Sequence, residues 1–420
     1  MSSSKVSAQA PSGAALDVVD PRLIIRQEGL RGYWDVFLRR VRGGELGALP
    51  VVIGLVLMAG VFQSLAPTFL SPGNISNLTL QIASTGLISI GVVLVLLLGE
   101  IDLSVGSVSG FTAAIMAVMS VKNGQHPILA MAVAVAVGAL IGVLQGTVFA
   151  KVGVPSFVVT LAGLIGWQGA LLYTLGETGT VNIPYDGAVA FLANTFFPPV
   201  VGYLLAAVPV LVYLLVMVRT NARRARAGLP TQATMDIALR IAGIAVIGFV
   251  VVYVLNLTRG VPLALVIFVG FVIAFDLLLR KTRYGRQIFA VGGNAEAARR
   301  AGINVDLVRI SVFAIASAMA AVGGLMAAAR LFAVNQASGG GDVLLNAIAA
   351  AVIGGTSLFG GRGSTWSALL GMLVIGSIQS GILLLDLQAD AQYMITGAVL
   401  LVAVIVDSLS RRGRMASGRA

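Results

Sequence analysis

The stretch LTLQIASTGLISIGVVLVLLLGEIDLSVG, residues 78–106, decides the fold class. Residues 78–98 carry no charge. At about 1.5 Å per residue they are long enough to cross a hydrocarbon core of about 30 Å. Glu100 and Asp102 then stand between two long apolar segments with no Lys or Arg in the same run. An unpaired charge at the bilayer centre costs about 2.5–3.5 kcal/mol on insertion scales. Gly99 and Gly106 let the backbone leave helical geometry there, and irregular backbone at membrane depth is tolerated only where protein or water surrounds it. The run 99–106 is therefore either a hairpin tip at the membrane surface or a broken helix inside the protein. In a continuous helix Glu100 and Asp102 would point about 200° apart; in an extended break they share a side. Both acids, with Ser104, are candidates for a transport path or gate. The competing reading is helix capping, with Asp102 ahead of the next span.

The rest of the chain extends the same reading. Of its 420 residues, 58% are hydrophobic and 11% charged, against about 25% charged in a soluble domain. It has no Cys and one His, which excludes thiol chemistry, Cys-bound zinc and a multi-histidine metal site. No metal site and no catalytic residue is expected, since the usual acid–base sets are missing. The composition predicts an all-α polytopic membrane protein. Twelve apolar segments qualify, near 47–66, 78–98, 103–121, 128–150, 154–175, 199–218, 237–256, 261–279, 311–333, 342–358, 365–385 and 392–409. The transmembrane domain is thus 47–409, between an N-terminal tail (1–46) and a C-terminal tail (410–420). No cleavable signal peptide is expected, because the first apolar run begins near Gly47.

Twelve crossings from a cytoplasmic N-terminus place 25 of the 28 Lys and Arg inside, leaving Lys122, Arg259 and Arg330 outside. That asymmetry is a positive-inside signal, and it predicts that both termini are cytoplasmic. It also accounts for the net charge of +11 without nucleic acid; the lipid bilayer is the partner.

Four other stretches depart from plain spans. Residues 30–42 suit either an amphipathic helix on the inner leaflet, with Trp34, Phe37, Leu38 and Val41 toward lipid, or an ordinary basic stop sequence. Residues 219–236, with Arg219, Arg223, Arg224 and Arg226, read as a linker held by anionic headgroups. Residues 353–364, IGGTSLFGGRGS, are glycine-rich but lack the Gly-Lys-Ser/Thr ending of a phosphate loop. In the basic loop 280–310, residues 295–301 have the marks of a short helix. Asn294 suits the N-cap and Glu296 the first turn. Arg299 and Arg300 suit the last turn, and Gly302 the position after it. A helix this short, capped at both ends, suits a docking element or an interfacial helix resting on lipid.

GEIDLSVGS (99–107), VPSFVVTLAG (154–163), KTRYGRQIFAVGGNAEAARRAGINV (281–305) and VIGGTSLFGGRGS (352–364) together resemble the permeases of bacterial ribose/xylose-type sugar ABC importers, from about residue 75 to 409. Three spans here (199–218, 237–256, 261–279) stand where ribose-like members have one, which is similar to the longer xylose-type permeases. The resemblance implies a ten-helix core related to the type II ABC importers plus an extra pair, in a dimer with a second copy, in the bacterial inner membrane. No Gly-Lys-Ser or Gly-Lys-Thr occurs anywhere in the chain, so no ATPase site of its own is expected. The partners would be an ATPase with two fused nucleotide-binding halves, which holds ATP and Mg, and a periplasmic sugar-binding protein. The ATPase-coupling role falls by resemblance on Asn294, Ala295, Glu296, Ala297, Ala298, Arg299 and Gly302. The neutral cargo, most simply xylose, needs hydroxyl and amide partners; Glu100, Asp102, Ser104, Thr160, Asn346 and Thr356 are the path or gate candidates, and further lining groups include Gln81, Gln168, Gln336 and Gln379. Ser and Thr also serve as packing groups between membrane helices. The alternative is a proton- or sodium-coupled secondary transporter using Glu100 and Asp102.

Overall fold

The computed structural model describes residues 49–229, 231, 234–388, 390–391, 393–398, 401 and 405. The expected interfacial helix at 30–42, both tails and most of the span at 392–409 lie outside them. The described part is a multi-pass helical membrane bundle. Nine of its helices are long and apolar enough to cross a membrane.

The helices are α1 Leu49–Leu65, α2 Pro72–Leu97, α3 Val105–Ala117, α4 Pro127–Thr147, α5 Ser156–Leu175, α6 Ala188–Asn194, α7 Pro199–Arg226, α8 Thr234–Asn256, α9 Leu263–Lys281, α10 Arg283–Gly293, α11 Ala295–Arg300, α12 Val305–Leu331, α13 Gly341–Ile353 and α14 Trp366–Leu384. α3 and α4 each run on into a π-helical turn, Val118–Lys122 and Val148–Val152. Four short strands, β1 Thr180–Asn182, β2 Phe196–Phe197, β3 Val261–Pro262 and β4 Ala333–Asn335, pair as β1–β4 and β2–β3, both antiparallel.

From Gly86 to Leu97 α2 is apolar on every side but for Ser89, and it is buried over most of its length, the pattern of a helix at a bundle's centre. Ser71 accepts from the Asn74 N–H at 3.3 Å to start it, and Gly99, at φ +78°, turns the chain away after it. α12 packs against α2, α3 and α4. Lipid tails are as apolar as Leu, so small residues let helices approach. Gly138, Gly142 and Gly146 form one stripe of α4 that lies against Ser317, Phe313 and Ile310 of α12. α12 is about 40 Å long at 1.5 Å per residue and leads from α11 to β4. The bundle therefore has an α11 end and, opposite it, a β1–β4 end.

Two expectations change. The basic stretch after 218 is not a linker from its start: α7 continues as helix through Arg223, Arg224 and Arg226. The reason is local, since nothing between Arg219 and Arg226 breaks a helix and Gly228, at φ +66°, comes after it. The loop 280–310 is also mostly helical, as α10 and α11. α7 and α8 pack on each other, with Gly202 the buried residue of α7. The pair is held to the body by Val252, Leu255 and Val261 against Ile75 and Phe197.

Candidate functional site

Residues 98–104 form a non-helical break between α2 and α3. Asp102 is 3% exposed. Its Oδ1 accepts from the Ser104 N–H at 2.8 Å and the Ser104 hydroxyl at 2.7 Å, which sets the turn that starts α3. The Ser104 hydroxyl also lies 3.1 Å from Gln145 Oε1 of α4. Glu100 turns the other way. Arg309, in the first turns of α12, places Nη2 3.3 Å from Glu100 Oε1. The Ser156 hydroxyl, at the start of α5, donates to Glu100 Oε2 at 2.8 Å. Arg309 also stacks over Phe149, 4.7 Å from the ring centre. Burial pushes the Glu100 carboxyl above its ordinary range, while Ser156 and Arg309 pull it back down.

Thr160 is fully buried beside this break, its hydroxyl donating to Ser156 O at 2.9 Å and lying 3.4 Å from Ile101 O. Glu100, Asp102, Ser104 and Thr160 are thus brought together. Thr356 lies nearby: the Leu97 side chain and Thr356 both border Gly363. Asn346 belongs elsewhere. It lines a cavity of about 100 Å³ between α13 and residues 393–397.

The glycine-rich runs meet at one junction. The Gly361 N–H donates to Leu97 O at 2.9 Å. Gly292, at the end of α10, lies directly on Leu97 O. A Cβ on Gly360 would stand 2.6 Å from Gly292 O and 2.9 Å from the Gly99 N. Three backbones, 97–99, 292–293 and 360–361, are therefore in contact with no side chain between them.

That junction holds the α10–α11 hairpin. Thr282 caps α10 at the Gly285 N–H, 3.0 Å. Asn294 Oδ1 caps α11 at the Ala297 N–H, 2.9 Å, and Gly302, at φ +83°, follows its end. Tyr284 of α10 pairs with Ser311 of α12 at 2.7 Å, and burial pushes its phenol above the ordinary value. Ala298 faces inward, whereas Glu296, Ala297, Arg299 and Arg300 are exposed. Arg299 reaches Asp306 of α12 at 3.6 Å, and Arg300 pairs with Glu296 at 3.1 Å. α11 thus presents a short charged face while joined to α12 through Arg299 and to the α2 break through α10.

The sequence reading missed Arg309, Ser156 and Gln145. Arg309 is one more basic residue in a basic loop, and nothing local marks it as the partner of an acid 209 positions away. Among the described residues no cluster of acids or histidines suits a metal ion.

Residues 74–404 match the family described as "Branched-chain amino acid transport system / permease component". The xylose transport system permease protein of Escherichia coli K12 is 37% identical over 345 residues, 82% of this chain and 87% of that protein. The corresponding protein of Haemophilus influenzae is 36% identical over 369 residues, 87% of this chain and 97% of that protein. The ribose import permease protein of Bacillus subtilis is 32% identical over 366 residues, 87% of this chain and 94% of that protein. No solved structure matches. Matched over most of its length by the family and by these permeases alike, the chain belongs to the transport-system permease family, whose members are membrane components rather than ATPases.

Proposed function

We propose that the chain is the membrane-spanning subunit of a bacterial inner-membrane ABC importer for a pentose, xylose first. The observation that carries this is 37% identity to a xylose permease across 82% of the chain. The family's description speaks of amino acids, but the relatives named above carry sugars in their names, so the cargo is assigned from them. In this reading the chain crosses the membrane twelve times, ten helices forming the core and α7 and α8 the extra pair, with both termini in the cytoplasm. It works beside a second copy. A periplasmic binding protein delivers the sugar, and an ATPase with two fused halves hydrolyses Mg-ATP.

The α11 end is then cytoplasmic. The exposed Glu296, Ala297, Arg299 and Arg300 meet the ATPase. Closure of the ATPase halves pushes α11, and the push passes through α10 to the Gly292–Leu97–Gly361 junction and so to the break holding Glu100 and Asp102. The secondary-transporter alternative is less well supported, because it needs carboxylates free to exchange ions, and here Glu100 is paired with Arg309 and Asp102 sets the start of α3.

The test uses the complex reconstituted in vesicles. Glu296→Lys replaces an exposed acid on α11 and is expected to abolish binding-protein-stimulated ATPase and xylose uptake together. Unimpaired ATP-driven uptake in that variant overturns the docking assignment, and uptake that follows a proton gradient at constant ATP overturns the class.

A further inference from the structure

The cavity beside Asn346 lies at the other end of the bundle from α11. It is lined by Asp342, Leu345, Asn346 and Ala349 of α13 and by Tyr393, Thr396 and Gly397. Its place follows from the chain path, because α13 begins six residues after β4, at the end where α12 finishes. Asn346 is 9% exposed, and among the described residues its amide pairs with no other side chain or backbone group. As a lining residue it brings two donors and an acceptor to whatever enters the cavity. Beside it Asp342 Oδ1 already accepts from the Tyr393 hydroxyl at 2.7 Å. That bond fixes the phenol at the mouth, where Tyr393 is half exposed, and leaves the second carboxylate oxygen as an acceptor. Thr396 adds a hydroxyl, and Leu345 and Ala349 supply apolar wall.

The group has a definite chemical preference. The wall is mostly apolar and carries a carboxylate, an amide, a phenol and an alcohol at a few points, which suits a small neutral ligand with a few hydroxyls. The apolar wall suits the C–H face of such a ligand. A carboxylate or phosphate ligand is disfavoured by Asp342, and among the described lining residues there is no Lys or Arg to offset it. The volume, about 100 Å³, is of the same order as the cavity of about 150 Å³ that takes up benzene in an engineered protein core. It is the size for one small molecule or one end of a monosaccharide.

We infer that this cavity is a sugar-binding site at the outer end of the permease, where Asn346, Asp342 and Tyr393 take the hydroxyls of a pentose. The inference rests on the proposed sugar cargo and deepens it. It places a contact for the cargo in the permease itself, at the end facing away from the ATPase. Asn346 is then a specificity residue, and Tyr393 with Asp342 forms the rim.

The protein has no cysteine, so one introduced thiol reports on one place. In the reconstituted complex, Thr396→Cys and, separately, Leu345→Cys are labelled with a maleimide with and without saturating D-xylose, D-ribose or L-leucine. The expected result is several-fold slower labelling with a pentose and no change with leucine. Asn346→Leu, which keeps the volume, is expected to remove the protection and raise the KM for uptake about tenfold. Equal labelling with and without pentose at both positions, in complexes that still import xylose, overturns the site alone. Complexes of the unsubstituted protein that import no monosaccharide overturn the sugar assignment itself. Protection by leucine instead of pentose overturns both.

Discussion

Glu100 and Arg309 are 209 positions apart in sequence and 3.3 Å apart in space. Their pair joins the break after α2 to the first turns of α12. Both are largely enclosed, at 17% and 23% side-chain exposure. Removing one partner of an enclosed pair strands the other charge, whereas removing both does not. Arg309→Gln is therefore expected to destabilise the permease by about 1–3 kcal/mol. Glu100→Gln with Arg309→Gln should recover much of that loss. Thermal unfolding of the four proteins of this cycle in detergent measures the coupling, and additive losses would remove the pair from the account of the break.

Neighbouring glycines at the end of α10 give a contrast. A Cβ on Gly293 meets nothing within 4 Å, while one on Gly292 runs into Leu97 O. Replacing a helical glycine by alanine ordinarily stabilises by roughly 0.5–1 kcal/mol. Gly293→Ala is expected to be neutral or slightly stabilising. Gly292→Ala must push the α10 and α2 backbones away from each other and is expected to cost about 1–3 kcal/mol. It should also lower xylose uptake per ATP hydrolysed, because the α10 contact with the α2 break is the route proposed for coupling. Equal behaviour of both variants in melting and uptake would show that the junction transmits nothing.

The cap of α11 is open to a similar check. Asn294 Oδ1 satisfies the Ala297 N–H, and losing such a cap costs about 1 kcal/mol. A six-residue helix has little other support, because helices this short are marginal in water. Asn294→Ala is expected to weaken binding of the ATPase in a pull-down from detergent, and Asn294→Asp to retain it. The contrast separates a capping role from direct contact through the amide.

Much of this was legible in the sequence, and the residues show why. Spans announce themselves by composition, so α2 and α12 were visible as apolar runs. The ends of α11 were visible because caps are local chemistry: Asn294, Glu296 and Gly302 lie within nine positions of one another. What the sequence hid is long-range. Glu100 reads as an unpaired acid until Arg309 is placed beside it. The glycine-rich runs after Leu98 and Ile353 stand far apart in the sequence, whereas in space they meet each other and Gly292 as three backbones in contact. The length of α7 beyond the apolar segment was also missed, because charge marks where lipid ends and says little about where a helix does.

That extension leads to the remaining expectation. Beyond its apolar stretch, α7 continues about 12 Å at 1.5 Å per residue, carrying Arg219, Arg223, Arg224 and Arg226 with no acid among them. The helix is mostly uncovered by protein, and in the proposed topology these groups would stand at the depth of the headgroups. Each basic residue near an anionic surface contributes about 1 kcal/mol, falling off within a Debye length. Changing all four to Gln is expected to leave the bundle folded, because the α7–α8 pair is held to the body at its other end by Val252, Leu255 and Val261. It should reduce the phosphatidylglycerol that copurifies with the protein and weaken the dependence of uptake on anionic lipid. Lipid analysis of the purified variant, with uptake in vesicles of neutral lipid alone or with phosphatidylglycerol, measures both. Unchanged phosphatidylglycerol retention would mean that these arginines set orientation during insertion and hold no lipid afterwards.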